Sequence, residues 1–483
     1  MTCYRRAIIT GTLTTKTNLH IGSGEEAYLD EKKGSVNVVV RTKNKRPYIP
    51  ASSLRGFLRS QIVDPTLRQA IFGLGRQKSG SEETGNAGQL RIYDAQVSEV
   101  VNANYISRTS IDPLTQVAKE HHLSTHEIIP PETEFSLTLE LDNSTTEQIK
   151  ALLQELAILG LSPSGQLGKG KSIGQGKLTW ELSKVLGLTE ERLQEWLQPP
   201  EIKEHKDKKK GKRGKSNEAK KSFSSDADAF RECFEKVEIA TDPVTSPWKT
   251  IAFTLKSHSP VLINDPQRVK QREQELKKKE DERKDRGEEP TRNKETAPDL
   301  IYMLNQEQAC IPASTLKGWL RAHCRRILLT IQQGSEEDRF DKLLDEVFGS
   351  SDHGRGLLQF EDALAPIDLD KELHPQTFIA VDRFTGGAKP GALYNVEAIW
   401  SKESFSSEIH YREGKLESWM KILLLYALRD AMEGDLVLGW GKSRGYGRLI
   451  LESTGIELGK YREEDLASWR QALQTQLEQE QAA

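Results

Sequence analysis

The chain says the same thing twice. IPASSLRGFLRS, from Ile49 to Ser60, returns as IPASTLKGWLRA from Ile311 to Ala322, displaced by 262 residues. LGKGKSIGQGKL, from Leu167 to Leu178, returns as LGWGKSRGYGRL from Leu438 to Leu449, displaced by 271. Between them and in the same order, IFG at Ile71 to Gly73 matches VFG at Val347 to Gly349. GQLRIYDA, ending at Ala95, matches GLLQFEDA, ending at Ala363. Asp112, Thr115, Ala118 and Glu127 recur as Asp382, Thr385, Ala388 and Glu397, each 270 further on. Colinear blocks at nearly one offset mark a tandem duplication, so whatever one copy binds, the pair binds at two regularly spaced stations. A chain of 483 residues suits two such domains better than one core. The boundaries expected are 1–195 for the first copy, 196–247 for a basic flexible linker, 248–460 for the second copy and 461–483 for a polar C-terminal helix without a clear role.

Within each copy the hydrophobic period alternates between two and 3.6. RRAIITGTLTTKTNLHI reads as a strand ending in the Gly22–Gly24 turn, and VNVVV at Val36 to Val40 as a second strand. Ser52 and Ser53 are candidate N-caps for an amphipathic helix over Leu54 to Ile62, with Leu54, Phe57 and Leu58 on one face and Arg55 and Arg59 on another. LRIYDA and TEFSLTLEL read as later strands, and Thr146 to Leu159 as a second helix. Strands alternating with two helices predict an α+β fold of two tandem ferredoxin-like (RRM-like) domains, whose open sheet face is a common platform for single-stranded RNA. Gln267 to Ala297 in the second copy has hardly an apolar residue and predicts an exposed insertion, helical in its first half.

A net charge of −3 names no partner, but its distribution is uneven. Lys203 to Lys221 holds ten Lys or Arg against three acids, which reads either as a solvated, self-repelling tether or as a nonspecific phosphate-binding one. No stretch has the roughly 18 to 20 apolar residues of a membrane span, and MTCYRRAIITG lacks the apolar core of a signal peptide. The expectation is a cytoplasmic protein without a membrane partner. Cys3, Cys233, Cys310 and Cys324 have no paired spacing, and Cys310, His323 and Cys324 flank a helix rather than form a knuckle, so no zinc is expected.

The repeated blocks are also where the chemistry concentrates. Glycine removes the Cβ that keeps a backbone from a phosphate, and Lys169 and Lys171 in the first loop, with Lys442, Ser443 and Arg444 in the second, supply charge and donors. A tight turn joining helix to strand explains the glycines as well. Ser52, Ser53, Arg55 and Arg59, and likewise Ser314, Thr315, Lys317 and Arg321, place hydroxyls, amides and cations at a helix start, a natural anion site. Plain capping accounts for the hydroxyls but not for the repeated cation three positions after Ser52 and Ser314.

HIGSG at His20 to Gly24, the paired IPAS helices, GxLxxxDA, the Asp-x-x-Thr-x-x-Ala segment followed by Glu, and the final glycine loop together resemble the RAMP superfamily. These are the backbone subunits of type III CRISPR effector complexes, and the tandem arrangement is similar to fused double backbone subunits of the subtype III-D variant. The resemblance covers nearly all of both copies. It implies a guide-RNA groove lined by the helix starts and glycine loops, and inserted thumb hairpins at 106–131 and 378–397 that flip nucleotides from the guide–target duplex. It also implies metal-dependent cleavage (Mg or Mn) of target single-stranded RNA by a loop aspartate, with guide RNA and other CRISPR effector subunits as partners.

Asp299 lies 13 residues before Pro312, where the resemblance places that aspartate. The same spacing from Pro50 reaches Asn37, which is no carboxylate, and Asp30 on the same loop is the alternative. Asp30 and Asp299 are therefore the candidate catalytic and metal-binding residues, with Asp265 more simply a turn former. A noncatalytic guide-binding scaffold is the competing reading, favoured for the first copy by Asn37. A guide-processing nuclease would need a histidine base, for which His20, His121, His122 and His126 are available.

Overall fold

The computed structural model describes the chain except residues 1, 29–34, 80–81, 98, 100, 103, 113–114, 116, 162, 198–229, 231–232, 287–295, 333–336, 351, 413, 453–460 and 483. The basic run Lys203 to Lys221 and Asp30 thus lie outside the described residues. In the first copy, the opening strand Cys3–Thr15 buries Ala7, Ile9 and Leu13 at alternate positions and takes the centre of an antiparallel sheet. Closing strand Leu178–Thr189 lies on one side of it, and Glu134–Thr145 lies on the other, followed by the short strands Leu90–Ile92 and Ala95–Val97. In the second copy, Arg448–Glu452, Trp248–Ser257, Phe405–Arg412 and then Leu358–Phe360 with Ala363–Ala365 repeat that order. This is the ferredoxin-like strand order expected of the pattern, twice. Each copy has its own apolar core.

A side sheet rises from each domain. In the first, the hairpin Asn104–Ile111 with Ala118–Ile128 pairs in parallel with Ser35–Val39; in the second, the hairpin Leu373–Val381 with Ala388–Ile399 pairs in parallel with Leu300–Ile301. These hairpins occupy the places expected of thumbs.

Local readings were corrected in three places. The entry helices Ala51–Gln61 and Ala313–Ile331 start at Pro50 and Pro312, and no Ser or Thr side chain caps them. Asp94 Oδ1 instead accepts from the Ala51 amide at 2.7 Å, and Asp362 Oδ1 from the Ala313 amide at 2.8 Å. The carboxylate comes from the adjoining strand, because Ile49 pairs with Ala95 and Ile311 with Ala363. A cap more than 40 residues away cannot be found by a rule that inspects neighbours, yet it satisfies an orphan amide and the helix dipole together. Second, the C-terminal helix Glu463–Ala482 has a role: Leu466, Leu473 and Leu477 form an apolar stripe buried in the second core, beside Ser418–Met432. Third, His323 and Cys324 lie inside the entry helix and are buried, His323 Nε2 bonding Asp430 at 2.8 Å.

The insertion forms the helix Pro266–Asp285 with no buried residue, and Asp265 is its N-cap, accepting from Gln267 and Arg268 amides. Past the basic run, Glu235–Lys236 adds an edge strand to the first sheet, with Val237 and Ile239 against its core. No helix among the described residues is long and apolar enough to cross a membrane.

Asp94→Ala should cost about 0.5–2 kcal/mol of stability, the range for a lost N-cap, whereas Ser52→Ala should stay within about 0.5 kcal/mol. Urea unfolding of the two variants checks who caps the helix.

Candidate functional site

The glycine loops have one backbone. Gly168, Gly170, Gly174 and Gly176, like Gly439, Gly441, Gly445 and Gly447, all sit at positive φ. A Cβ on Gly176 would lie 1.8 Å from the Leu167 carbonyl oxygen, and one on Gly447 would lie 1.9 Å from that of Leu438. The turn itself demands these glycines. Each loop is tied to the end of its domain's opening segment, Lys169 N donating to His20 O at 2.9 Å and Trp440 N to Leu262 O at 2.7 Å. A short 3-10 turn, Lys171–Ile173 or Lys442–Arg444, then carries the basic side chains.

What the two loops touch is different. The first docks on the second copy. Ile173 packs against the second core, Ser172 Oγ accepts from Lys317 Nζ at 3.0 Å, and Lys177 Nζ pairs with Glu361 at 2.6 Å. A Cβ on Gly174 would meet Glu361 Oε2 at 2.7 Å, whereas one on Gly445 meets nothing within 4 Å. His410 Nε2 lies 3.1 Å from Glu361 Oε1. Burial alone would raise the Glu361 carboxyl, but His410 and Lys177 hold it below the ordinary carboxylate value. Burial, with Arg321 and Arg355 nearby, pushes Lys317 down to about 8, and burial with Arg355 lowers Lys171. Two of the expected RNA-binding cations, Lys171 and Lys317, therefore sit at a joint between copies.

Two others hold their own domain together. Arg55 donates to the carbonyls of Leu90 at 3.2 Å and Phe72 at 2.5 Å and lies over the Phe72 ring. In the second copy the job passes one turn down the helix to Arg321, which bonds Asp345 at 2.7 Å and Gly349 O at 3.5 Å, so that Lys317, the counterpart of Arg55, is released to the joint. Ser52 at the start of the first helix, Arg59 in its last turn rather than at the start as expected, and Lys169, Lys442, Ser443 and Arg444 on the loops are exposed; Ser53, Ser314 and Thr315 are half-buried.

Asp299 is exposed on the strand edge that meets the second thumb. Its amide donates to Asn395 O at 2.9 Å, and its Oδ2 accepts from Asn395 N at 2.8 Å, fixing the carboxylate against the thumb strand. The comparison with Asn37 needs correction. Asn37 pairs with His126, and Leu300 pairs with Val396, the counterpart of His126. Val40 bonds Ile21 as Met303 bonds Ile263. These pairs equate Asp299 with Val36, only 1% exposed, rather than with Asn37. The turn before Pro50 is one residue longer than that before Pro312, and one residue exchanges the faces of a strand.

Around that position the first copy gathers histidines. His20 Nδ1 donates to Glu127 O at 2.6 Å, which fixes its tautomer because a carbonyl only accepts. His126 lies edge-on at 5.1 Å between ring centres, its Nε2 within 2.7 Å of Ser124 Oγ and 3.4 Å of Lys169 Nζ. Glu127, buried, takes the Val39 amide and Arg41. His20, Asn37 and Lys169 line one cleft. Burial first, then Lys169, His20 and Arg108, lowers His126 to about 4, so it is neutral at pH 7. His122 bonds the Glu120 carbonyl on the exposed thumb, and His121 is exposed there too. Arg108 and the aromatic residues of the second copy were not singled out by sequence reasoning, since their motif spacing is that of ordinary strands.

Among the described residues no three His, Cys, Asp or Glu side chains converge as a metal cluster. One fixed carboxylate with a second oxygen left over does fit magnesium, which is commonly held by one or two carboxylates plus substrate phosphates.

Unfolded His126 takes up a proton near 6.5 and the folded residue only near 4, so stability should fall as pH drops through that window. His126→Gln should flatten the fall in urea midpoint between pH 7.5 and 5.

Residues 12–179 and 254–450 match the family described as the RAMP superfamily. No curated protein matches the chain.

Proposed function

From the premise that this chain belongs to the RAMP superfamily, and is thereby in general terms a CRISPR-associated RNA-binding subunit, we propose that it is a double backbone subunit of a type III effector complex. In this role it holds guide RNA along both copies and cuts complementary target RNA. The joint between copies carries the reading. It is head-to-tail, the loop of the first copy on the helix start of the second, and so leaves a helix start open at one end and a loop at the other. Such a unit sets two RNA stations at a fixed spacing and has two different faces for other effector subunits.

Lys169, Lys442 and Ser443, with Ser52 and Arg59, are the exposed groups that would meet the guide backbone. Ser53, Ser314 and Thr315 flank the same helix starts. For cleavage, Asp299 is the catalytic candidate of the second copy: the Asn395 amide holds one oxygen and orients the other. A divalent ion (Mg or Mn) held by Asp299 and RNA phosphates would neutralise charge at the phosphate under attack. The thumb strand beside Asp299 would align a target 2′-OH with that phosphate. The 2′-hydroxyl would lose its proton to water as its oxygen bonds phosphorus, and the P–O5′ bond would break with the leaving oxygen taking a proton from water, to give a cyclic phosphate and a 5′-hydroxyl. In the first copy Val36 at the equivalent place favours the scaffold reading, with Asp30 as the acid still to be tried.

Lys442→Ala and Lys169→Ala should each reduce the salt slope of guide binding by about one, while Lys171→Ala should leave that slope alone. Filter binding from low to high salt reads this. Asp299→Ala should remove one target-cleavage product with guide affinity unchanged, and Asp30→Ala should remove a different one if the first copy cuts. Survival of every product in labelled-target electrophoresis would make the chain a scaffold.

A further inference from the structure

The same positions around the two glycine loops carry opposite chemistry. In the first copy they hold His20, Arg108, Ser124, His126 and Lys169; in the second they hold Leu262, Phe378, Tyr394, Val396 and Trp440. Arg108 and Ser124 pair across the first thumb as Phe378 and Tyr394 pair across the second, and Lys169 and Trp440 make the same loop bond. We propose that Phe378, Tyr394 and Trp440, capped by Arg444, form a stacking site for one unpaired nucleobase at the second station. This rests on the RNA-binding reading above and specifies what the second loop takes.

The geometry is that of a platform. Phe378 and Tyr394 are nearly parallel, at 15° and 5.3 Å between centres, and Trp440 stands edge-on to both at 5.4 and 6.1 Å. Tyr446 closes the back, 5.4 Å from Trp440. The Arg444 guanidinium lies 5.0 Å from the Trp440 ring centre, 5.6 Å from Phe378 and 5.8 Å from Tyr394. Among the described residues its hydrogen-bond partner is the Tyr394 hydroxyl rather than a carboxylate. An exposed planar cation laid on rings keeps its outer face for another planar group, and bases stack on aromatic rings and guanidinium planes alike. The counterpart of Arg444 is Ile173, partly buried against the core of the second copy. A cation at that place, beside an unobstructed Gly445, is unsuited to a second copy of the apolar contact that Ile173 makes and suited to a base with its phosphate.

The test uses the full-length protein and single-stranded RNA oligonucleotides carrying 2-aminopurine at successive positions. Binding should quench one position selectively. Arg444→Gln, a surface change, and Trp440→Leu should each relieve that quench and weaken binding about 5- to 150-fold, the range for losing one base-on-ring stack. The salt slope should stay that of wild type for Trp440→Leu. If RNA binds with the wild-type salt slope but no position is quenched, or if Arg444→Gln leaves the quench intact, the stacking site is wrong and the RNA-binding reading stands. If no salt-dependent RNA binding occurs, both are wrong.

Discussion

The partly buried contact between Lys177 and Glu361 is the constraint on which the arrangement of this molecule turns. Each copy folds around its own core, and where the copies sit relative to each other depends on what the first copy lays against the second, Ile173 included. Lys177, Glu361 and His410 form a hydrogen-bonded chain at mostly buried positions, flanked by Ile173 against the second core and by Ser172 on Lys317. A pair of this kind adds little net stability, but removing one partner costs about 3–5 kcal/mol because a charge is left stranded. Its value is specification: one register of loop on helix satisfies it. Glu361 has Tyr93 as its counterpart, and Ile173 has Arg444, so the outer faces cannot reproduce the inner joint.

How much of this was legible depended on whether the signal was local. Period-two and period-3.6 patterns found the α+β class with its main strands and helices, because burial in a sheet or on a helix face writes itself into neighbouring residues, whereas the thumbs were expected only from the resemblance to the family. The repeat carried the family. The cap on the entry helices was missed because Asp94 and Asp362 reach Ala51 and Ala313 through strand pairing, and Ser52 and Ser53 offered a plausible local substitute. The apolar stripe of the last helix is three leucines in a polar segment, visible only once the partner helix is in place.

The candidate site was partly legible. Spacing to a proline picked out Asp299, which the fold sets on the strand edge by the thumb, but carried over to the first copy it slipped by one residue and pointed to Asn37. Only backbone pairing identifies Val36 as the counterpart. The basic residues were read as one class, whereas the fold divides them: Arg55 and Arg321 brace helices, Lys171 and Lys317 sit at the joint, and Lys169, Lys442 and Arg444 stay exposed. Sequence supplies a charge; its use is set by what lies opposite.

The most direct test of the account is small-angle X-ray scattering of the full chain with Lys177→Glu and with Lys177→Glu combined with Glu361→Lys. The account predicts that the single reversal sets two carboxylates against each other, releases the first copy from the second and raises the radius of gyration, and that the paired reversal brings the curve back towards wild type. Superimposable curves for wild type and Lys177→Glu would contradict it, because the spacing of the two stations would then be set by something other than this joint.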